Sequence, residues 1–470
     1  MREFIRDVTR SMLGLLGVAI TTVSGVLMLA LAIVGFLGVI RGPYLGIITF
    51  LVLPFFFLLG LVLIPVGAWS EHRRARRAAA AGEAARKLPV LDLNRPRTRN
   101  RLIAVGALTV VNVVIVAVAS YGGVETMDTP AFCGSCHSVM DPEFTAYRRS
   151  PHARVACVNC HIGAGAGWFV RSKLSGAWQV VSVTFGLYPR PIPVPVHNLR
   201  PARETCEECH WPTKFVGDRL KVITRHDDDE KSTEKRTVLL LKVGGGAMRE
   251  RSRGIHWHVA PGVQLRYLAD AKREKIGVVE IERPDGTRAT YTGKEGPTAP
   301  GAGAAWRVMD CVDCHNRPTH VFRTAEDEID GALNEGRIDR SLPFARRETL
   351  KALRAAKGSH DQAAASISKE LLSVYEQLDP PGFPARRAAV EAAAAEVGKI
   401  YGYDVWPTMN IGWGTYPTFL GHDQAPGCWR CHDEDHTAAD GKTISQDCTI
   451  CHVVLAQDES NPKVLRDLGH

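Results

Sequence analysis

All 12 cysteines of this 470-residue chain fall in six Cys-x-x-Cys-His repeats, a pattern that constrains the fold more than any other feature. The repeats are Cys133, Cys136 and His137; Cys157, Cys160 and His161; Cys206, Cys209 and His210; Cys311, Cys314 and His315; Cys428, Cys431 and His432; and Cys448, Cys451 and His452. Two thiols at this spacing on a short helical turn reach the two vinyl groups of one porphyrin. The next residue then turns its imidazole onto the iron. This is the c-type haem attachment pattern. A lone Cys-x-x-Cys also serves as a zinc knuckle or a redox dithiol. Six copies, each followed by histidine and with no cysteine left over, argue against both and leave no thiol for a disulfide. The expectation is six c-type haems, with the six motif histidines as proximal ligands.

Such a chain needs little side-chain core around its cofactors, because buried porphyrins supply apolar mass. An aromatic content of 7% is therefore no obstacle. The length exceeds that of an ordinary single domain, and the organisation reads as a membrane part followed by haem-bearing parts.

Residues 12–40, 42–69 and 102–124 carry no charge, and each run exceeds the roughly 20 apolar residues that cross a bilayer. Three transmembrane helices are expected within a membrane domain over 1–124. The first run is too long for a signal peptide and lacks a small-residue cleavage pattern, so it reads as uncleaved. Arg2, Arg6 and Arg10 precede the first span, and the 70–101 loop holds ten further Lys and Arg residues. Both basic segments read as cytoplasmic. The third span then exits into the periplasm of an inner-membrane protein, which delivers every haem motif to the compartment where c-type haem is attached.

The net charge of +8 invites a nucleic-acid reading, but its distribution excludes one. Up to Arg101 there are 14 Lys and Arg against 5 Asp and Glu; the rest of the chain has 44 against 45. The basicity is a topology signal, with unspecific attraction to anionic headgroups as its only partner.

Beyond the membrane domain, residues 125–213 hold three motifs. An extended proline-rich strut over 189–195 leads into the third. Residues 214–310 lack a motif and read as a β-rich insertion. Strands are expected over 237–243, 254–259, 276–281 and 288–292, with a turn at Pro284-Asp285-Gly286. Residues 311–425 carry the fourth motif and a helical stretch broken at Pro343 and at Pro380-Pro381. Residues 426–470 form a C-terminal dihaem segment.

Ten histidines remain after the motif histidines and cytoplasmic His72 are set aside, enough for a second imidazole at every iron. The distal candidates are His152, His197, His320, His422 and His436, each near a motif, together with His256 and His258, which would share one face of a strand. His226, His360 and His470 read as structural.

The run Phe132-Cys133-Gly134-Ser135-Cys136-His137-Ser138-Val139-Met140 directly follows an apolar span. Tyr147 and His152 precede Cys157-Val158-Asn159-Cys160-His161, and the 168–186 segment contains Lys173. On these residues, 130–211 resembles the NapC/NirT family of membrane-anchored multihaem quinol dehydrogenases. Three helices, six haems and an insertion look more like that family's longer inner-membrane members, which feed extracellular electron transfer in metal-respiring bacteria.

The resemblance implies a first haem at the membrane surface, ligated by a methionine just after its motif. It also implies a menaquinol pocket lined by a lysine and an acid. By resemblance Met140 is that ligand, with His137 the alternative, and Lys173 is that lysine. Gln179 and Val180 stand one turn beyond Lys173 where an acid is expected, which leaves Asp141, Glu143 or Asp128 to supply it.

The expected activity is oxidation of (mena)quinol, with electrons leaving for periplasmic cytochromes or reductases in anaerobic or extracellular respiration. Trp168, Phe169, Trp178, Phe185 and Tyr188 suit an interfacial helix, with Arg171 and Lys173 reaching headgroups. The alternatives are a membrane-anchored relay subunit without its own quinol site, and a terminal reductase with one haem open to substrate. The spans contain no histidine, which argues against a b-type haem among the helices.

Overall fold

Apolar runs that must satisfy every backbone polar group internally become helices. In the computed structural model they span Met12–Phe36, Leu53–Ala80 and Pro96–Met127. The structure describes residues 4–5, 8, 10–36, 52–80, 92–135, 137–162, 166–196, 201–245 and 254–469. It divides into two compact units, 1–136 and 137–470.

In the first unit, stretches over 12–31, 53–74 and 110–127 are long and apolar enough to cross a membrane. The ends of the expected second and first spans, 42–51 and 37–40, lie outside the described residues. The basic loop expected over 70–101 is helical at both ends. The second helix continues past Arg73 to Ala80, and the third begins at Pro96, a residue suited to a first helical turn because its missing N–H is not needed there. The first two helices cross at glycines. A Cβ on Gly17 would lie 2.8 Å from the Gly60 carbonyl, and one on Gly60 would lie 2.7 Å from the Gly17 carbonyl, so only glycine permits the approach. Met28, Leu53 and Phe57 pack beside this crossing, and Val116 and Ala119 of the third helix join them.

The second unit contains a helical bundle and two antiparallel sheets. The bundle helices are Ala325–Asn334, Ala345–Ala355, His360–Leu378 and Phe383–Asp404, with interruptions at the expected prolines. Thr324 caps the first, and a Ser359–Gln362 capping box starts the third. Ile329, Leu333, Leu353, Ile367, Leu371, Val397 and Ile400 form an apolar core of ordinary protein kind.

The strands are β1 (Arg219–His226), β2 (Glu234–Leu241), β3 (Gln264–Asp270), β4 (Ile276–Glu282), β5 (Arg288–Thr292), β6 (Ala304–Val308), β7 (Thr437–Ala438) and β8 (His452–Glu459). They pair in the orders β1-β2-β8 and β6-β3-β4-β5-β7. Tyr267 opposite Val279, and Val238 opposite Ala456, illustrate the two registers. Each sheet is thus completed by a strand from the C-terminal dihaem segment, and the residues of the expected insertion are tied to the last two haem motifs.

One expected strand is absent. Residues Ile255–Val259 form a 3₁₀ helix, because the amides of Ile255 and His256 donate to the carbonyls of Lys242 and Gly244 rather than to a neighbouring ladder. Aromatic and β-branched composition does not distinguish a strand from a buried turn of this kind.

Candidate haem centres

The five motifs described in full sit on or beside short helical or 3₁₀ turns. Cys157–His161 is a single helical turn, and Cys311–Cys314 begins with a capping box in which Asp310 and Asp313 satisfy each other's backbone amides. Turns this short hold the two cysteines and the histidine on one side.

Among the described residues, five motif histidines face a second imidazole. Ring centroids are 6.2 Å apart for His161 and His320, 6.0 Å for His210 and His152, and 6.4 Å for His315 and His256. They are 5.8 Å apart for His432 and His258, and 6.3 Å for His452 and His422. With metal–nitrogen bonds of roughly 2.0 Å and a ring nitrogen ~1.1 Å from its centroid, two imidazoles on opposite sides of one ion place their centroids about 6.2 Å apart. The residues present therefore fit six-coordinate haem iron at these five places.

The ring nitrogens agree. Nδ1 donates to a backbone carbonyl in His152 (Pro318, 3.3 Å), His256 (Val243, 2.5 Å), His258 (Ile255, 2.7 Å), His320 (Glu143, 3.0 Å) and His432 (Ser445, 2.8 Å). Such a bond sets the tautomer and leaves Nε2 for a metal. Burial pushes the His258 imidazole below its usual range, and the facing His432 adds to this; burial and His422 act alike on His452. Neutral imidazole is the form that coordinates.

His256 and His258 serve different partners although one residue separates them, because the 3₁₀ turn sends their rings apart. The motifs also follow one another in space. The Cys206 and Cys311 thiols lie close together, and Cys160 lies near Cys206. Cys314 has the same relation to Cys428 and Cys431, and Cys451 to Cys428.

Two charged side chains inside the motifs tie them to their surroundings, and sequence reasoning missed both. Asp313 is buried and accepts from the Tyr267 hydroxyl and Arg307 Nε, each at 2.6 Å. Arg430 donates to the carbonyls of Asp313 (2.5 Å), Arg273 (2.7 Å) and Gly427 (2.8 Å), while its guanidinium lies 4.0 Å from the Phe419 ring. The available signal was a charge at a variable position of a motif that must be partly buried.

The other candidates fall in several places. His436 has both nitrogens committed, Nδ1 to Asp433 at 2.9 Å and Nε2 to the Ile276 carbonyl at 3.1 Å, so its ring has no nitrogen left for iron. Its position close to a motif reflects a structural clamp between β4 and the dihaem segment. His197, and the side chain of His137, lie outside the described residues, as does all of Cys136. His226 is buried against Asp330, and His360 bonds the Val405 carbonyl, in keeping with structural roles.

Met140, Asp141 and Glu143 share the helix His137–Arg148, and Lys173 lies on Ala166–Thr184. Asp128 ends the third helix of the first unit. Glu143 is engaged elsewhere than at a pocket. Arg317 donates to both its carboxylate oxygens at 2.9 and 3.1 Å, and one of them lies 3.1 Å from His320 Nδ1. Val170, Leu174, Trp178 and Val181 are exposed at spacings of one helical turn along Ala166–Thr184, and Phe185 continues the stripe. Tyr188 instead packs inward and accepts from Arg190 at 2.8 Å.

Membrane-spanning helices, repeated haem-attachment motifs and facing imidazoles define a membrane-anchored multihaem cytochrome c. The comparisons with known proteins make the class specific. The profile of the NapC/NirT cytochrome c family, N-terminal region, matches residues 95–190. The chain is 38% identical to cytochrome c-type protein ImcH of Geobacter sulfurreducens over 465 residues, which cover 97% of this chain and 91% of that one. It is 31% identical over 84 residues to cytochrome c-type protein NrfH of Wolinella succinogenes, 17% of this chain and 47% of that one. It is 32% identical over 91 residues to cytochrome c-type protein TorC of Escherichia coli, 18% of this chain and 23% of that one. No solved structure matches the chain. The protein belongs to the NapC/NirT cytochrome c family, with covalently bound haem and an integral membrane anchor.

Proposed function

We propose that the protein is an inner-membrane hexahaem quinol dehydrogenase that oxidises (mena)quinol and delivers electrons to periplasmic cytochromes or reductases in anaerobic or extracellular respiration. The haems supply one-electron chemistry when bound; the chain's residues position and insulate them. The observation that carries this reading is the set of five facing histidine pairs. His320, His152, His256, His258 and His422 serve as the distal ligands opposite His161, His210, His315, His432 and His452. Sites closed on both sides transfer electrons and leave no position for a substrate, which favours this reading over a terminal reductase.

The first motif is the point of entry. Cys133 follows the third apolar helix after only a few residues, and Met140 lies on the helix that His137 begins. The exposed stripe from Val170 to Phe185 suits a helix lying in the membrane surface, with Lys173 on it to polarise a quinol oxygen. With Glu143 engaged by Arg317 and His320, Asp141 on the helix His137–Arg148 is the candidate acceptor for the protons that quinol oxidation releases. The basic residues flanking the first two spans favour a cytoplasmic N-terminus and a periplasmic haem region.

The test is stopped-flow reduction of the oxidised, haem-loaded protein in nanodiscs by a menaquinol analogue, with Lys173→Ala and Met140→Ala beside the wild type. Rapid reduction slowed by either substitution supports a quinol site beside the first haem. Reduction by dithionite but never by quinol makes the protein a relay for another subunit.

A further inference from the structure

Glu328 and Asp404 form a buried carboxylate pair with no part in the haem centres. Glu328 is 0% exposed and Asp404 2%. Arg149 touches both, at 2.5 Å from Glu328 Oε1 and 3.5 Å from Asp404 Oδ2, and Arg323 lies 3.6 Å from Glu328 Oε1. The other Asp404 oxygen accepts the Arg323 amide at 2.9 Å. Glu328 Oε2 and Asp404 Oδ2 are buried without a hydrogen-bond partner. Two like charges and two orphaned oxygens in a low-dielectric site are costly while both groups are ionised.

The pair lies between two segments that carry distal imidazoles. Arg149 is three residues before His152, and Arg323 three after His320. The same two arginines line a polar cleft of about 410 Å³, together with Arg337, Lys399, Glu335 and Glu396. Solvent therefore reaches the guanidiniums that cover the carboxylates.

We infer that the Glu328–Asp404 pair is a proton-binding site, filled from this cleft, that takes up one proton when an electron arrives at the neighbouring haem centres ligated by His152 and His320. The electron comes from a quinol or an electrode and the proton from water; it forms an O–H bond on a pair oxygen that has no partner. Added negative charge nearby raises the pair's affinity for a proton, and by linkage the bound proton makes reduction easier. Burial, and next the charge of Glu328, raise the Asp404 carboxyl to about 7, where such coupling operates. The charged groups facing Asp404 are Glu328 from helix Ala325–Asn334, Arg323 from the segment before it and Arg149 from the end of helix His137–Arg148.

The inference rests on the ligand reading of His152 and His320. The experiment is spectroelectrochemical titration of the full haem-loaded protein between about pH 5 and 9, with infrared difference spectra of the reduced and oxidised states. The wild type is expected to lose potential as pH rises through 7, by up to ~59 mV per pH unit for one proton per electron, and to gain a protonated-carboxyl band on reduction. Asp404→Asn should flatten that window and abolish the band. Glu328→Gln, which removes the like charge, should move the window to lower pH. An unchanged slope and band in Asp404→Asn overturn the inference, whatever the haem propionates contribute, since both proteins retain them. A window that stays in place in Glu328→Gln overturns it independently, should Asp404→Asn fail to fold. Loss of low-spin character in His152→Ala and His320→Ala confirms the ligands separately. Their remaining low-spin shows that the ligand reading has failed instead.

Discussion

Glu143 and His320 meet twice: the imidazole Nδ1 lies 3.0 Å from the Glu143 carbonyl oxygen and 3.1 Å from its carboxylate. The carboxylate is held in place by Arg317, whose Nε also donates to the His320 carbonyl at 2.5 Å. A carboxylate on the far nitrogen makes an imidazole a stronger donor, which favours the oxidised metal.

Glu143→Gln should therefore raise the potential of one haem, the one attached at Cys157 and Cys160. Each tenfold loss of preference for the ferric state shifts it by ~59 mV. A resolved redox titration would show one component move and the others stay. Unchanged potentials would mean that the carboxylate only steadies Arg317.

The histidine pairs give a sharper expectation. His258→Ala should turn one haem high-spin, whereas His436→Ala should turn none, because His436 spends both nitrogens on protein oxygens. Electron paramagnetic resonance of the oxidised protein counts the converted centres. Conversion in His436→Ala would show that the ring rearranges onto iron.

Arg430 of the fifth motif donates, in a buried position, to the carbonyl of Asp313 in the fourth motif and to those of Arg273 and Gly427. Arg430→Leu leaves those acceptors unsatisfied and should cost on the order of 2–4 kcal/mol. Thermal melting of the haem-loaded protein reads the loss. Arg430→Lys should recover only part of it, since an ammonium lacks the planar fork.

Asp404 predicts how stability depends on pH. Its carboxyl is raised to about 7 in the folded protein, first by burial and then by Glu328. The neutral form is thus favoured by folding. Its stabilising contribution is full below the unfolded value near 4 and is lost as pH rises through 7, up to roughly 4 kcal/mol. Asp404→Asn should melt with less pH dependence across that interval; a parallel pH profile in the two proteins would count against a buried, proton-binding Asp404.

Chemistry set by neighbours along the chain was legible in the sequence. Two cysteines and a histidine within five residues bind one porphyrin whatever surrounds them, and an uncharged run long enough to span a bilayer has few choices but a helix. The breaks at Pro343 and Pro380-Pro381 were equally local, since proline removes a donor where it stands. Partnership across the chain was not legible. His258 faces His432, and His320 faces His161, only because strands and turns far apart in sequence close on each other. His436 had the composition and spacing of a ligand, yet β4 offers its ring a carbonyl first. Glu143 stood beside the first motif like a pocket acid, and Arg317, 174 residues away, drew it to His320. The sequence by itself determined which cofactor binds and where the membrane begins, because those depend on covalent spacing and on local hydropathy. Only the tertiary structure decided which imidazole, carboxylate or guanidinium meets which, because those contacts depend on the packing that brings distant segments within a few ångströms.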